Sequence, residues 1–340
     1  MQRNLKQITN VVLMIRPSRF RCNEQTAVNN YFQTESSQGL DEITVAAQTE
    51  FDQFTNTLQK YGIQVLTVQD DDACDTPDSV FPNNWISFHQ NTTISTQDKT
   101  IDINIYPMFA VNRRHEKNLQ AAIASTLKAE LDISLVIANN YSSHEEKDQF
   151  LEGTGSLILD RVHAIAYCAR SPRAHPEILE QFCADMGYTG VPFAAYQTVS
   201  QEGHEPQRAL IYHTNVMMCV AETFAIICLD CIDDQVERAH VEETLRSSGK
   251  EIITISEEQV GHFAGNMLQL ETNKLKEGKK GSGSAVLVMS SEAFSVLSAV
   301  QREQIEAHCP IVHAPLPVIE ANGGGSARCM MAEVFLPPVV

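Results

Sequence analysis

Short apolar runs alternate with longer amphipathic stretches along the whole chain. Residues 11–15, Val-Val-Leu-Met-Ile, are uninterrupted and end at Arg16-Pro17, which reads as a buried strand. Over 41–61 the apolar positions Ile43, Ala46, Phe51, Phe54 and Leu58 recur at helical spacing, and Gly62 supplies a stop signal. Residues 63–68 then read as a strand, and 70–82 as a loop rich in Asp and Pro. Residues 85–89 and 92–95 read as a hairpin, 101–105 as a strand, 114–128 as a helix and 135–137 as a strand. A hairpin of 156–160 with 163–167, around Arg161-Val162, precedes a helix over 176–186. Then come a strand at 209–212, a hairpin of 216–220 with 225–229, a helix over 235–248 and a strand at 251–255. Strands at 286–289 and 311–314 flank a helix over 291–308, and 330–336 reads as the last strand. Residues 274–284, a run of Lys, Gly and Ser, read as a surface loop between elements rather than a domain linker. The unit of strand, helix, strand and hairpin returns about every 60 to 70 residues, which points toward a circular repeat.

Composition narrows the partners more than the fold. The chain has 340 residues and is 43% hydrophobic, ample for a large core, and is read as a single domain over 1–340. Its formal net charge is −18, spread along the chain, which disfavours nucleic acid and anionic membrane. The run 11–15 is too short for a signal-peptide core or a membrane span, and no small-residue cleavage site follows it. Nine cysteines make an odd count without framework spacing, and Cys228 and Cys231 lie in an apolar run that reads as buried strand. Reduced thiols in a cytoplasmic protein fit best. His115, His144, His163 and His175 show no His-x-x-x-His ligand spacing, so no metal is expected.

Four segments carry polar residues at the edges of predicted strands, where loops on a rigid scaffold gather function: 75–85, 151–156, 212–216 and 322–330. The last contains Cys329 after Gly323, Gly324 and Gly325, which free the backbone for a close ligand approach. Arg328 beside the sulfur is expected to favour thiolate over thiol. Cysteine with histidine suggests covalent catalysis, His213 moving protons and Glu152 orienting the imidazole. Taken singly, each has a bland alternative: a loop cysteine, a satisfied strand-end histidine, a turn carboxylate.

With these segments in view, the chain resembles the amidinotransferase and arginine deiminase superfamily, the guanidino-group-modifying enzymes of the pentein fold. Asp75-Thr76-Pro77-Asp78-Ser79-Val80-Phe81 is similar to the Asp-Ser-Pro-Asp-x-Val-Phe segment of the dimethylarginine hydrolase branch. Leu151-Glu152-Gly153-Thr154-Gly155 is similar to the family's Glu/Asp-Gly-Gly-Asp turn, with Thr154-Gly155 replacing part of it. Phe81-Pro82-Asn83-Asn84-Trp85 and Gly323-Gly324-Gly325-Ser326-Ala327-Arg328-Cys329-Met330, with His213, resemble the citrulline-utilisation hydrolase type.

The resemblance implies an α/β fold, a five-bladed propeller of pseudo-fivefold symmetry. It implies Cys329 as nucleophile, His213 as general acid/base and Glu152 as its carboxylate partner. Asp78 would hold a substrate α-amino group. Arg113 and Arg170 would bind its carboxylate, with Arg114 as an alternative to Arg113. Neither cofactor nor metal is implied, and a homo-oligomer is left open. Two departures bear on the substrate. Where arginine deiminases carry two aspartates on the guanidinium, this chain has Asn84 and Asn215. A guanidinium has only donors, whereas a ureido group adds an acceptor oxygen, and asparagine offers both a donor and an acceptor. The expected substrate is therefore a small ureido amino acid, most simply citrulline. Arginine, through a dihydrolase or deiminase reaction, is the alternative. A non-catalytic pentein is a remoter one.

Overall fold

The computed structural model describes residues 5–34, 39–71, 73–90, 99–199, 205–274 and 285–337. Among them, one three-stranded unit occurs five times. Its middle strand pairs antiparallel with one neighbour and parallel with the other. The middle strands are Val11–Arg16, Thr100–Ile105, Ile165–Ala169, Phe224–Ile227 and Ala285–Ser290. A helical crossover leads from each to its parallel partner, the connection that parallel pairing requires. The first sheet draws its antiparallel strand, Ala332–Glu333, from the far end of the chain, so the two ends of the sequence share a sheet. A separate hairpin pairs Tyr196–Val199 with Gln207–Leu210.

Helix Leu40–Lys60 shows how the units hold together. It buries Ile43, Ala47, Phe51, Phe54 and Leu58. They join a core cluster with Val12, Met14 and Val65 of the adjoining strands. Ile43, Phe51, Phe54 and Leu58 each contribute about 1.5–3 kcal/mol on burial.

Several expected elements come out differently, for local reasons. Strand Ile86–His89 pairs with Thr100–Ile105, and its expected partner at 92–95 lies outside the described residues, as do 275–284 of the expected surface loop. The helix expected over 114–128 begins as a 3-10 stretch, Asn112–Leu119, before the α-helix Gln120–Leu131. The helix expected over 291–308 is two, Ser291–Val296 and Ala299–His308. Ser298 restarts it with a capping box, its side chain accepting from Gln301 N while the Gln301 side chain accepts from Ser298 N. The apolar run at 225–229 leaves the sheet after Ile227, so Cys228 and Cys231 sit on a tight 3-10 turn, both buried as free thiols. The strand at 330–336 shortens to Ala332–Glu333 because 326–331 is used for a turn.

Candidate active site

A turn stands immediately before the antiparallel strand of each sheet, and these turns carry the candidate chemistry. They are Pro82–Asn84 before Ile86, Gly153–Ser156 before Ile158, Thr214–Val216 before Met218, 263–266 before Leu268, and 326–331 before Ala332. Short backbone bonds such as Trp85 N to Pro82 O and Cys329 N to Ser326 O tighten them. Thr214 ties two of them together and to the strand Ile165–Ala169, donating to Ser156 O at 2.6 Å and accepting from Ala169 N at 2.8 Å.

Where they converge lies a narrow cavity of about 10 Å³ lined by Asp78, Asn84, Arg113, Arg173, His213 and Cys329, with Phe81, Tyr212, Asn30 and the loop 323–325. That is room for about one water molecule. Glu152 stands behind His213, its Oε2 2.7 Å from His213 Nε2 and its Oε1 accepting from Phe109 N at 2.9 Å. Nε2–H of a neutral imidazole therefore points at the carboxylate, and Nδ1 remains to carry a proton. Gly155 allows this approach: a Cβ there would lie 2.3 Å from Asn84 Nδ2 and 2.9 Å from His213 Nδ1.

Charge around this pair is one-sided. Burial alone would raise the Glu152 pKa, but Arg173, His213 and Arg113 outweigh it and lower it to about 2. Burial depresses His213 to about 4 despite the carboxylate, helped by Arg173 and Arg113. Both shifts bear on acid stability. Between pH 6.5 and about 4 the unfolded chain binds a proton on His213 that the folded chain does not. Below pH 4.5 and down to about 2 the same holds for Glu152. Stability is thus lost as pH falls through both windows. The thermal midpoint should drop between pH 6.5 and 4, and His213→Asn should flatten that slope. An unchanged slope in the variant would contradict the assignment.

The arginines divide differently from expectation. Arg113 is buried, but its fork is occupied: Nε and Nη2 bond Glu116 at 2.7 and 3.1 Å, Nη2 also reaches Phe81 O at 3.1 Å, and Nη1 donates to Asn84 Oδ1 at 2.8 Å. Burial opposes its charge, yet Glu116 and Asp78 outweigh that and keep the guanidinium firmly protonated. Arg114 points elsewhere, its Nε donating to Met108 O at 3.1 Å. Arg170 is not brought to the cavity. It is half-buried and pairs with Glu237 across the neighbouring helix. The turn at 171–174, closed by a bridge between Ser171 and Ala174, turns Arg173 inward instead. Arg173 stands with Nη1 3.6 Å from Glu152 Oε2 and its guanidinium over the Tyr212 ring at 4.7 Å. Sequence carried no mark separating the two arginines, three positions apart in one run.

Two further features escaped the sequence reading. Residues 23–34 cover the site. Asn23 donates to Asp78 Oδ2 at 2.8 Å, Asn30 to Gly323 O at 3.3 Å, and Thr34 N to Ala321 O at 2.7 Å. Asp78 Oδ1 keeps no protein partner. The second is Asn266, whose Nδ2 lies 3.3 Å from Cys329 Sγ. Asn215, expected to face a substrate, also turns its Nδ2 to the sulfur, at 3.4 Å. Arg328 does not serve the sulfur as expected. Its guanidinium bonds Glu333 and Met331 O, both at 2.8 Å.

Residues 16–336 match the family model of N,N dimethylarginine dimethylhydrolase, eukaryotic. The chain belongs to this family. Its place in the amidinotransferase, or pentein, superfamily agrees with solved structures of similar fold. ArgZ, an arginine dihydrolase from the ornithine-ammonia cycle in Cyanobacteria, superposes in its apo form with a TM-score of 0.64 at 14% identity, over 97% of this chain and 41% of that one. The chain thus spans about two fifths of ArgZ. It covers 98% of the ArgZ N-terminal domain solved with product, at a TM-score of 0.63, 14% identity and 96% of this chain. A histidine-to-glycine variant of dimethylarginine dimethylaminohydrolase, solved as an adduct with S-methyl-L-thiocitrulline, gives 0.54 at 13% identity, over 96% of this chain and all of that one. No curated protein sequence matches the chain. Among the described residues no helix is long and apolar enough to cross a membrane, and no His, Cys, Asp and Glu group could hold a metal ion.

Proposed function

We propose that this family member is a cysteine hydrolase of the ureido carbon of a small amino acid, most simply citrulline, giving ornithine, ammonia and carbon dioxide. In this reading the whole chain is one catalytic unit, and its five sheets are the blades of a pentein propeller. The observation that carries it is the locked amide of Asn84. Arginine can only donate, so the 2.8 Å bond from Arg113 Nη1 must be met by the Asn84 oxygen. The Asn84 NH₂ is then the group left over, buried and without a protein partner. A donor in that place suits the ureido oxygen and opposes a guanidinium, which has no acceptor to offer. Asp78 would receive the α-ammonium on its unpartnered Oδ1, and Arg173, whose Nε and Nη2 already bond Asn29 and Thr26, would face the α-carboxylate through Nη1.

The chemistry follows from the same groups. The Cys329 sulfur attacks the ureido carbon, and its proton passes to His213 Nδ1. The imidazolium, stabilised by Glu152, returns that proton to the departing nitrogen. If ammonia leaves first, the thioester-like adduct keeps the ornithine nitrogen. Water activated by His213 then frees a carbamate, which decomposes to ornithine and carbon dioxide. If ornithine leaves first, a carbamoyl-cysteine is hydrolysed to the same products. Either order consumes one citrulline and one water.

Arginine hydrolysis is the second reading. ArgZ is described as an arginine dihydrolase, and Asn215 Oδ1 is a buried acceptor without a protein partner. Ammonia and ornithine release on citrulline and on arginine separates the two. The native protein should prefer citrulline in kcat/KM, and a strong preference for arginine overturns the ureido reading. Asn84→Asp should lower kcat/KM on citrulline by about 10²–10³-fold, the cost of losing a donor to a developing oxyanion, while raising the relative rate on arginine.

A further inference from the structure

We propose that Asn266 is a catalytic residue, its side-chain amide acting with that of Asn215 as a paired N–H clamp on the negative charge that the Cys329 sulfur takes up as its proton leaves. The inference rests on the reading of Cys329 as nucleophile, not on the identity of the substrate.

Both amides are fully buried, and both direct Nδ2 at Sγ, Asn266 at 3.3 Å and Asn215 at 3.4 Å. The orientation of Asn266 is settled by its other bonds. Its Oδ1 accepts from the backbone N–H of Arg328 at 2.9 Å, and its Nδ2 also donates to Asn215 O at 3.1 Å. An N–H can be met only by oxygen, so the NH₂ must face the sulfur. Two N–H donors converging on one sulfur suit a thiolate, and the adjoining Arg328 guanidinium does not do that work, being spent on Glu333 and Met331 O.

The backbone is shaped to deliver this contact. Gly265 presses on the Thr214–Val216 turn so closely that a Cβ there would lie 2.4 Å from Val216 O. Phe263 adopts φ 61°, a left-handed conformation that a bulky residue rarely takes. Strain of this kind persists where surrounding structure over-determines it, often at functional sites. Asn266 also occupies the place in its sheet that Asn84 occupies in another, two residues before the antiparallel strand.

The test reads sulfur ionisation without any substrate. Iodoacetamide labelling of Cys329, followed by peptide mass mapping across pH, gives the midpoint at which the sulfur becomes reactive. Asn266→Asp keeps the oxygen for Arg328 N–H and replaces the donor by an acceptor. Its labelling midpoint should rise by at least about one pH unit, slowing labelling near neutral pH about tenfold, with the rate recovered in alkali. On the substrate that the native protein turns over, kcat should fall at least tenfold with KM within about threefold. An unmoved midpoint overturns the clamp. If Asn266→Asp does not fold by thermal unfolding, Asn266→Ser is read in the same way, and an unmoved midpoint there overturns it equally. Should the native protein hydrolyse no ureido or guanidino compound while the midpoint still moves, the hydrolase reading fails and the clamp stands.

Discussion

Cys329→Ser should abolish turnover while leaving the small-molecule site intact. A serine hydroxyl fits where the thiol sits and can accept from the same Asn215 and Asn266 amides. It is a far weaker nucleophile, because the alcohol ionises many orders of magnitude less readily than a thiol. By analogy with nucleophile removal elsewhere, kcat should fall by about 10⁴–10⁶-fold. Citrulline binding, read by titration calorimetry, should stay within a few-fold. An ArgZ N-terminal domain with cysteine replaced by serine was solved with its substrate bound, so such a variant can hold a ligand in that protein. Ammonia release above about one per cent of native in Cys329→Ser would end the covalent scheme proposed here.

Glu152→Gln should be nearly as damaging, for a reason of tautomer rather than of nucleophile. Phe109 N–H points at one carboxylate oxygen, at 2.9 Å, so the glutamine oxygen must take that place. The glutamine NH₂ then meets His213 Nε2, which must accept instead of donate. The proton moves to Nδ1, and the nitrogen left to face a substrate can no longer take one up. The corresponding change in a serine-protease triad lowers kcat by about 10⁴-fold, and about 10³–10⁴-fold is expected here. Removing the carboxylate also leaves Arg173 and Arg113 without a shared anion at 3.6 and 4.0 Å. The variant should therefore melt earlier. The two effects separate in the pH profile: a tautomer defect moves the acid limb of kcat, whereas lost stability alone does not. A kcat within about tenfold of native would show that Glu152 only supports the fold.

The strands were readable where hydrophobic pattern and flanking breakers agreed, as at Val11–Arg16 and Gln64–Gln69. They failed where the apolar signal was short or mixed with polar residues. Thr189–Phe193 and Leu268–Glu271 were missed, and with Leu268 went the chance to notice Asn266 before it. The break at Ser298 was written in the sequence as Ser-x-x-Gln, a start signal hidden inside a longer apolar periodicity. Segment 23–34 has too little apolar content to register as an element, yet its Asn and Thr side chains bond Asp78 and the glycine loop.

Residue type alone determined the chemical inventory of this protein: a cysteine in a glycine loop, a histidine, a carboxylate, and amides where arginine deiminases carry acids. Side-chain chemistry is a property of the residue and survives any fold. Tertiary structure decided which of those groups meet and which way each points. A half-turn at 171–174 chose Arg173 over Arg170, and an ion pair with Glu333 took Arg328 from the sulfur. An amide has two faces of opposite hydrogen-bonding sense, and only its neighbours, Arg113 for Asn84 and the Arg328 N–H for Asn266, determine which face is offered.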